Sequence, residues 1–108
     1  MKSPTKLALF AILAASTFAA TSAHAQSAAD TYKSKCAMCH GADGLAATPA
    51  GKAMKTLPIN DPSVAKLSEA DLIAITKNGK AKMPAYNGKL TDPQIKELVV
   101  YLKSLQKK

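Results

Sequence analysis

Cys36-Ala37-Met38-Cys39-His40 is the stretch on which the reading of this chain turns. It has the form C-x-x-C-H, the spacing that attaches a c-type haem. Two thiols separated by two residues sit about one helical turn apart, so each can form a thioether with one of the two vinyl groups of a single porphyrin. The histidine beside the second thiol is carried beneath the iron, and its neutral imidazole is a natural axial ligand. Other uses of Cys-x-x-Cys compete with this one. A thioredoxin-like redox pair belongs at the start of a helix in a βαβ pattern, and no strand pattern surrounds this pair. A structural zinc site asks for four ligands, and the chain has 2 cysteines in all. A plain disulfide in a small secreted domain is the simplest rival, but it leaves the adjacent histidine without a purpose. The motif therefore reads as haem attachment, with Cys36 and Cys39 as the thioether donors and His40 as an iron ligand.

The N-terminus has the form of an export signal. Lys2 and Lys6 make a basic start, Leu7 to Ala15 is an uncharged apolar run, and Ala23-His24-Ala25 is a small-x-small cleavage site. The run is short for a bilayer span, which favours a removed signal over an anchor. No cysteine lies near the cleavage point, which argues against a lipid anchor. Cleavage after Ala25 is the expectation, dividing the chain into a signal at 1–25 and one domain at 26–108. Export agrees with the motif, since bacterial c-type haem is attached outside the cytoplasmic membrane. Removal of the signal also removes His24 and leaves His40 as the single histidine, so bis-histidine ligation within one chain is excluded.

A domain this short buries a thin core and often depends on a staple. A covalently held porphyrin is flat, large and apolar, and would serve as one; the haem-free chain is expected to be poorly folded. The whole chain carries a formal net charge of +8, and its basic excess persists in 26–108, where all 7 acidic residues lie. Such a balance suggests acidic partners. Nucleic acid is a poor candidate for an exported chain with no arginine and 5% aromatic residues.

The pattern after the signal predicts helices and no strand. A first helix runs from about Ser27 to Cys36 and delivers the motif. Residues 41–60 show no helical or alternating period and are punctuated by Gly41, Gly44, Pro49, Gly51 and Pro58; they read as a long loop that could wrap the haem edge. Asp61-Pro62 can start a short turn ending near Lys66. The next helix has Ser68 as its cap, Asp71 in the capping-box position and Asn78-Gly79 as its end. The last has Thr91, Pro93 and Gln94 at its start, and Ile95, Leu98, Val99, Leu102 and Leu105 at helical spacing. Between these two helices lies Lys80-Ala81-Lys82-Met83-Pro84-Ala85-Tyr86-Asn87-Gly88, a surface-type loop presenting one thioether.

With His40 on one side of the iron, the second axial position needs a ligand or stays open. Met38 is inside the attachment turn and cannot reach the far side. Met54, in the long loop, could equally be core. Met83 sits in a loop stiffened by Pro84, with enough chain after His40 to cross the porphyrin edge. Met83 is the favoured ligand; Met54, a lysine or an open site are the alternatives. A Met/His pair raises the reduction potential relative to bis-His and suits outer-sphere electron transfer.

The helix leading into Cys36-x-x-Cys39-His40, the Met83-Pro84 pair before a Tyr/Gly loop, and the C-terminal helix together resemble bacterial class I mono-haem cytochromes c over essentially all of 26–108. The resemblance implies an all-α cytochrome c fold of three to five helices around one covalent haem c whose edge is exposed. It implies that Pro49 supplies the carbonyl that orients the His40 ring, and that the first and last helices cross through Ala28 with Tyr32 and Leu98 with Tyr101. It further implies a periplasmic, monomeric electron carrier rather than an enzyme. Redox partner proteins with acidic surfaces are expected to dock on Lys33, Lys35, Lys52, Lys80 and Lys82. A haem c subunit of a larger dehydrogenase or oxidase complex is the second reading, and a gas-binding or peroxidatic haem protein the third.

Overall fold

A computed structural model describes the backbone of residues 21–106 and side chains from Ser27 onward. The basic start and apolar run of the expected signal, and the terminal Lys107 and Lys108, lie outside the described residues. Among the described residues six helical segments follow one another: α1 Thr21–Lys35, α2 Ala37–His40, α3 Pro49–Ala53, α4 Pro62–Ala65, α5 Glu69–Asn78 and α6 Asp92–Leu105. Two isolated bridges, Lys80 with Met83 and Asn87 with Leu90, are the only β pairing among the described residues. The fold is all-α, as expected. Three of the six segments are single turns of four or five residues, which accounts for the number exceeding the three to five helices anticipated.

The long helices start and stop where side-chain chemistry requires. Ser68 and Asp71 form a reciprocal capping box at α5, and Thr91 with Gln94 forms another at α6. Each box satisfies amide hydrogens that the first helical turn leaves without partners. Asp61 caps α4 by accepting from the Ser63 amide. The hydrogen bonds from Ser63 and Ser68 hold the Asp61 and Asp71 carboxyls below the usual carboxylate range.

The core is the apolar stripe of α6. Ile95 is 0% exposed and Val99 2%, and Leu98 and Leu105 are buried beside them. Tyr32 of α1 and Ile59 join this cluster at 3% exposure each. The first and last helices cross as anticipated: the Tyr32 and Tyr101 ring centroids lie 5.2 Å apart with their planes tilted by 56°, within the contact range of aromatic pairs. Gln106 at the end of α6 donates to the Ile59 carbonyl at 2.9 Å and ties down the centre of the chain.

Residues 41–60 form the long loop that the sequence suggests, interrupted by one helical turn and tied by its own backbone hydrogen bonds. The Ala46 amide donates to the His40 carbonyl at 2.8 Å, and the Ile59 amide to the Gly44 carbonyl at 2.9 Å. α3 rises between these points. Thr48 caps it by accepting from the Gly51 amide, and Pro49 occupies its first turn. A one-turn helix is too short to show an apolar period, which is why periodicity misses it. Thr-Pro, a cap residue followed by the residue best suited to the first helical position, is the local signal that marks it.

Candidate haem site

α1 carries the attachment turn. The Cys36 amide closes the last turn of α1 onto the Tyr32 carbonyl at 2.9 Å, and the His40 amide returns to the Cys36 carbonyl at 3.0 Å. The turn is anchored from within by Tyr32, whose buried hydroxyl donates to the Gly41 carbonyl at 2.7 Å. Burial raises the Tyr32 pKa, so the hydroxyl stays protonated and keeps its donor role.

α3 buttresses the same turn from outside. Thr48 Oγ1 donates to the Met38 carbonyl at 2.6 Å. Gly51 is buried against the turn so closely that a Cβ there would run into the Cys39 carbonyl oxygen and stand 2.7 Å from the Ala46 carbonyl oxygen. Both obstacles are backbone and cannot rotate away. Gly51→Ala is therefore expected to lower the stability of the haem-loaded protein by about 1–3 kcal/mol, read as a fall in the denaturant midpoint. An unchanged midpoint would mean that α3 is free to lift from the turn. Among the described residues no hydrogen bond joins the His40 ring to Pro49; Thr48 and Gly51 are the residues that fix α3 here.

Met83 is placed by the end of α5. The last carbonyls of a helix lack partners within it, and here the loop supplies them. Gly79, Tyr86 and Asn87 amides donate to the carbonyls of Ile75, Thr76 and Lys77 at 2.8, 3.1 and 3.0 Å. Lys80 and Met83 exchange two backbone hydrogen bonds, closing a tight turn. Gly79 has φ +77°, and a Cβ on it would meet the Met83 carbonyl oxygen at 2.8 Å, so this turn requires glycine.

Cys36, His40 and Met83 line one narrow crevice of ≈ 30 Å³, open to solvent, whose remaining walls are mainly apolar: Leu90, Leu98, Val99 and Leu102, with Tyr32, Tyr86 and Thr76. The other thioethers are elsewhere. Met38 is 74% exposed and Met54 48%, and neither lines the crevice. Both cysteines are free thiols, not a disulfide. Burial pushes the Cys36 thiol up, opposed by the Lys35 ammonium. Burial also lowers the His40 pKa, favouring the neutral imidazole that ligates iron. The crevice thus presents one thiol, an imidazole and a thioether among apolar walls, with Cys39 in the same attachment turn but not among the lining residues. In their chemistry these donors match a porphyrin with iron at its centre. Among the described residues no cluster of His, Cys, Asp and Glu could hold a bare metal ion, so nothing there supports the zinc alternative.

The sequence reading missed three contributors to this site: Thr48, Gly51 and the Tyr86 hydroxyl, which donates to the Lys35 carbonyl at 3.2 Å. Each acts through backbone atoms distant in sequence, and only the Thr-Pro pair left a local trace.

Helices crossing at a tyrosine pair, with a C-x-x-C-H turn opening onto an apolar crevice, define a small c-type cytochrome with one haem. Residues 23–102 match the family described as cytochrome C oxidase, cbb3-type, subunit III. Cytochrome c6 of Thermosynechococcus vestitus is 33% identical over 92 residues, spanning 85% of this chain and 80% of that protein. Among solved structures, the KustC0563 c-type cytochrome superposes with a TM-score of 0.67 at 27% identity, covering 73% of this chain and 96% of the other. The chain belongs to the class I mono-haem cytochrome c family: an electron-transfer protein with a covalently bound haem c, in which Cys36 and Cys39 occupy the attachment positions.

Proposed function

We propose that the chain is an exported, monomeric single-electron carrier of the periplasm, with thioethers at Cys36 and Cys39 and iron held between His40 and Met83. The convergence of Cys36, His40 and Met83 on one apolar crevice carries this reading. The bound haem supplies a one-electron couple; the protein orients the ligands, keeps water from the iron and leaves an edge for contact with partners. Pro49, fixed beside the attachment turn by Thr48, is the candidate acceptor for the His40 ring N–H. Export rests on the residue pattern of 1–25 and its cleavage after Ala25. No described helix is long and apolar enough to cross a membrane.

Absorption spectra of the purified protein test the closed Met/His site. Sharp reduced c-type bands, a near-infrared Met-to-iron(III) band and indifference to carbon monoxide are expected. A carbon monoxide shift would favour the gas-binding or peroxidatic reading instead.

Docking follows from charge. Lys33 and Lys35 at the end of α1, Lys80 and Lys82 in the Met83 loop, and Lys52 on α3 are all exposed. The Tyr86–Lys35 hydrogen bond brings the first two groups to the same crevice rim. Electron exchange with an acidic partner should slow several-fold as salt rises from about 10 to about 200 mM, because the screening length shrinks below the spread of the charges. A rate insensitive to salt would remove acidic partners from the reading. The family's description names an oxidase subunit, which keeps the second reading in view. A carrier purifies as a monomer, whereas a complex subunit elutes with larger companions.

A further inference from the structure

The crevice has two walls with separate supports. One is the end of α1 with the attachment turn; the other is the Met83 loop, whose backbone bonds go back to α5. Among the described residues one hydrogen bond joins the two walls: the Tyr86 hydroxyl to the Lys35 carbonyl, at 3.2 Å. The acceptor belongs to the last residue of α1, beside Cys36, and is one of the carbonyls that a helix end leaves without a partner. Tyr86 is held at its other end by its amide on Thr76, and Lys89 Nζ lies 5.8 Å from its ring centroid. Its ring is packed against the core cluster and lines the crevice.

We propose that Tyr86 is a positioning residue whose hydroxyl latches the Met83 loop to the haem-attachment helix and thereby keeps outside ligands from the second axial position. The inference rests on the reading of Met83 as an iron ligand. Loss of the latch lets the loop swing about its α5 anchors, and Met83 yields more readily to a competitor. The aromatic ring alone, which phenylalanine keeps, does not supply this tie.

Imidazole affinity of the oxidised, haem-loaded protein is the test, measured for Tyr86→Phe, Met83→Ala and, as a control on α6 outside the crevice, Tyr101→Phe. Tyr86→Phe is expected to bind imidazole about two- to ten-fold more tightly, the range one net hydrogen bond allows, with Tyr101→Phe unchanged. Met83→Ala should bind it far more tightly than either. Unchanged affinity in Tyr86→Phe, beside an opened site in Met83→Ala, overturns the latch and leaves the ligand assignment standing. An unchanged Met83→Ala overturns both. Should Tyr86→Phe fail to take up haem, the same measurement on Tyr86→Trp, which keeps an aromatic ring and lacks the hydroxyl, decides: an imidazole affinity equal to that of the unaltered protein overturns the proposal.

Discussion

Met83→Ala is expected to convert a closed iron site into an open one. The variant should bind carbon monoxide when reduced, lose the near-infrared Met-to-iron(III) band, and show a lower reduction potential. A thioether is soft and stabilises reduced iron, so its loss favours the oxidised state. A fall of order 0.2 V is a fraction of the roughly 0.8 V that axial ligands span. No other sulfur stands ready to replace it, since Met38 and Met54 are exposed and outside the crevice. The loop itself should survive, because its bonds to Ile75, Thr76 and Lys77 are made by backbone amides and not by the thioether. Helical circular dichroism should therefore be retained while the spectrum and potential change. A variant with the parent's spectrum and potential would dismiss Met83 as a ligand.

The double substitution Cys36→Ala with Cys39→Ala should have the largest effect of all: loss of the folded state. The tightly buried cluster is small, built on Tyr32, Ile59, Leu90, Ile95, Leu98 and Leu105. Four apolar side chains, Leu90, Leu98, Val99 and Leu102, line the open crevice. Leu90, Leu98 and Val99 are already buried by their neighbours and Leu102 is partly buried, so an attached porphyrin adds apolar contacts to a core that is thin without it. Domains are stable by only about 5–15 kcal/mol, and one this short depends on a staple to reach that range. The exported variant should show little helical signal, no cooperative melt and rapid digestion by protease. A sharp melting transition in the haem-free chain would refute the view that the cofactor completes the core.

Much of this was legible in the residues, and the reason differs from place to place. α6 was plain because Ile95, Leu98, Val99 and Leu105 repeat at the helical period and are all buried. α5 and α6 had legible starts because Ser68–Asp71 and Thr91–Gln94 are local chemistry, complete within four residues. The attachment turn was legible for the same reason. The Tyr32–Tyr101 crossing came from family resemblance, because nothing in the spacing of two distant tyrosines makes them meet. α3 was hidden by its length, and Gly51 by the nature of its role. Its importance lies in an atom it lacks, next to a carbonyl far away in the chain. The Tyr86 hydroxyl was hidden likewise, since its acceptor is a backbone oxygen, and every residue type carries one.

The hard ends of α5 and α6 have a consequence of their own. Gly79 terminates one helix and Thr91 starts the next, and neither device involves the side chains of residues 80–85. Residues 80–85, which lie outside both devices and outside the core cluster, are expected to act as an interchangeable cassette. With Met83 as an iron ligand, substitutions there are expected to retune the iron's affinity for electrons while the helices that build the domain stay in register. Lineages descending from such a protein could diversify the voltage at which it works without renegotiating its architecture.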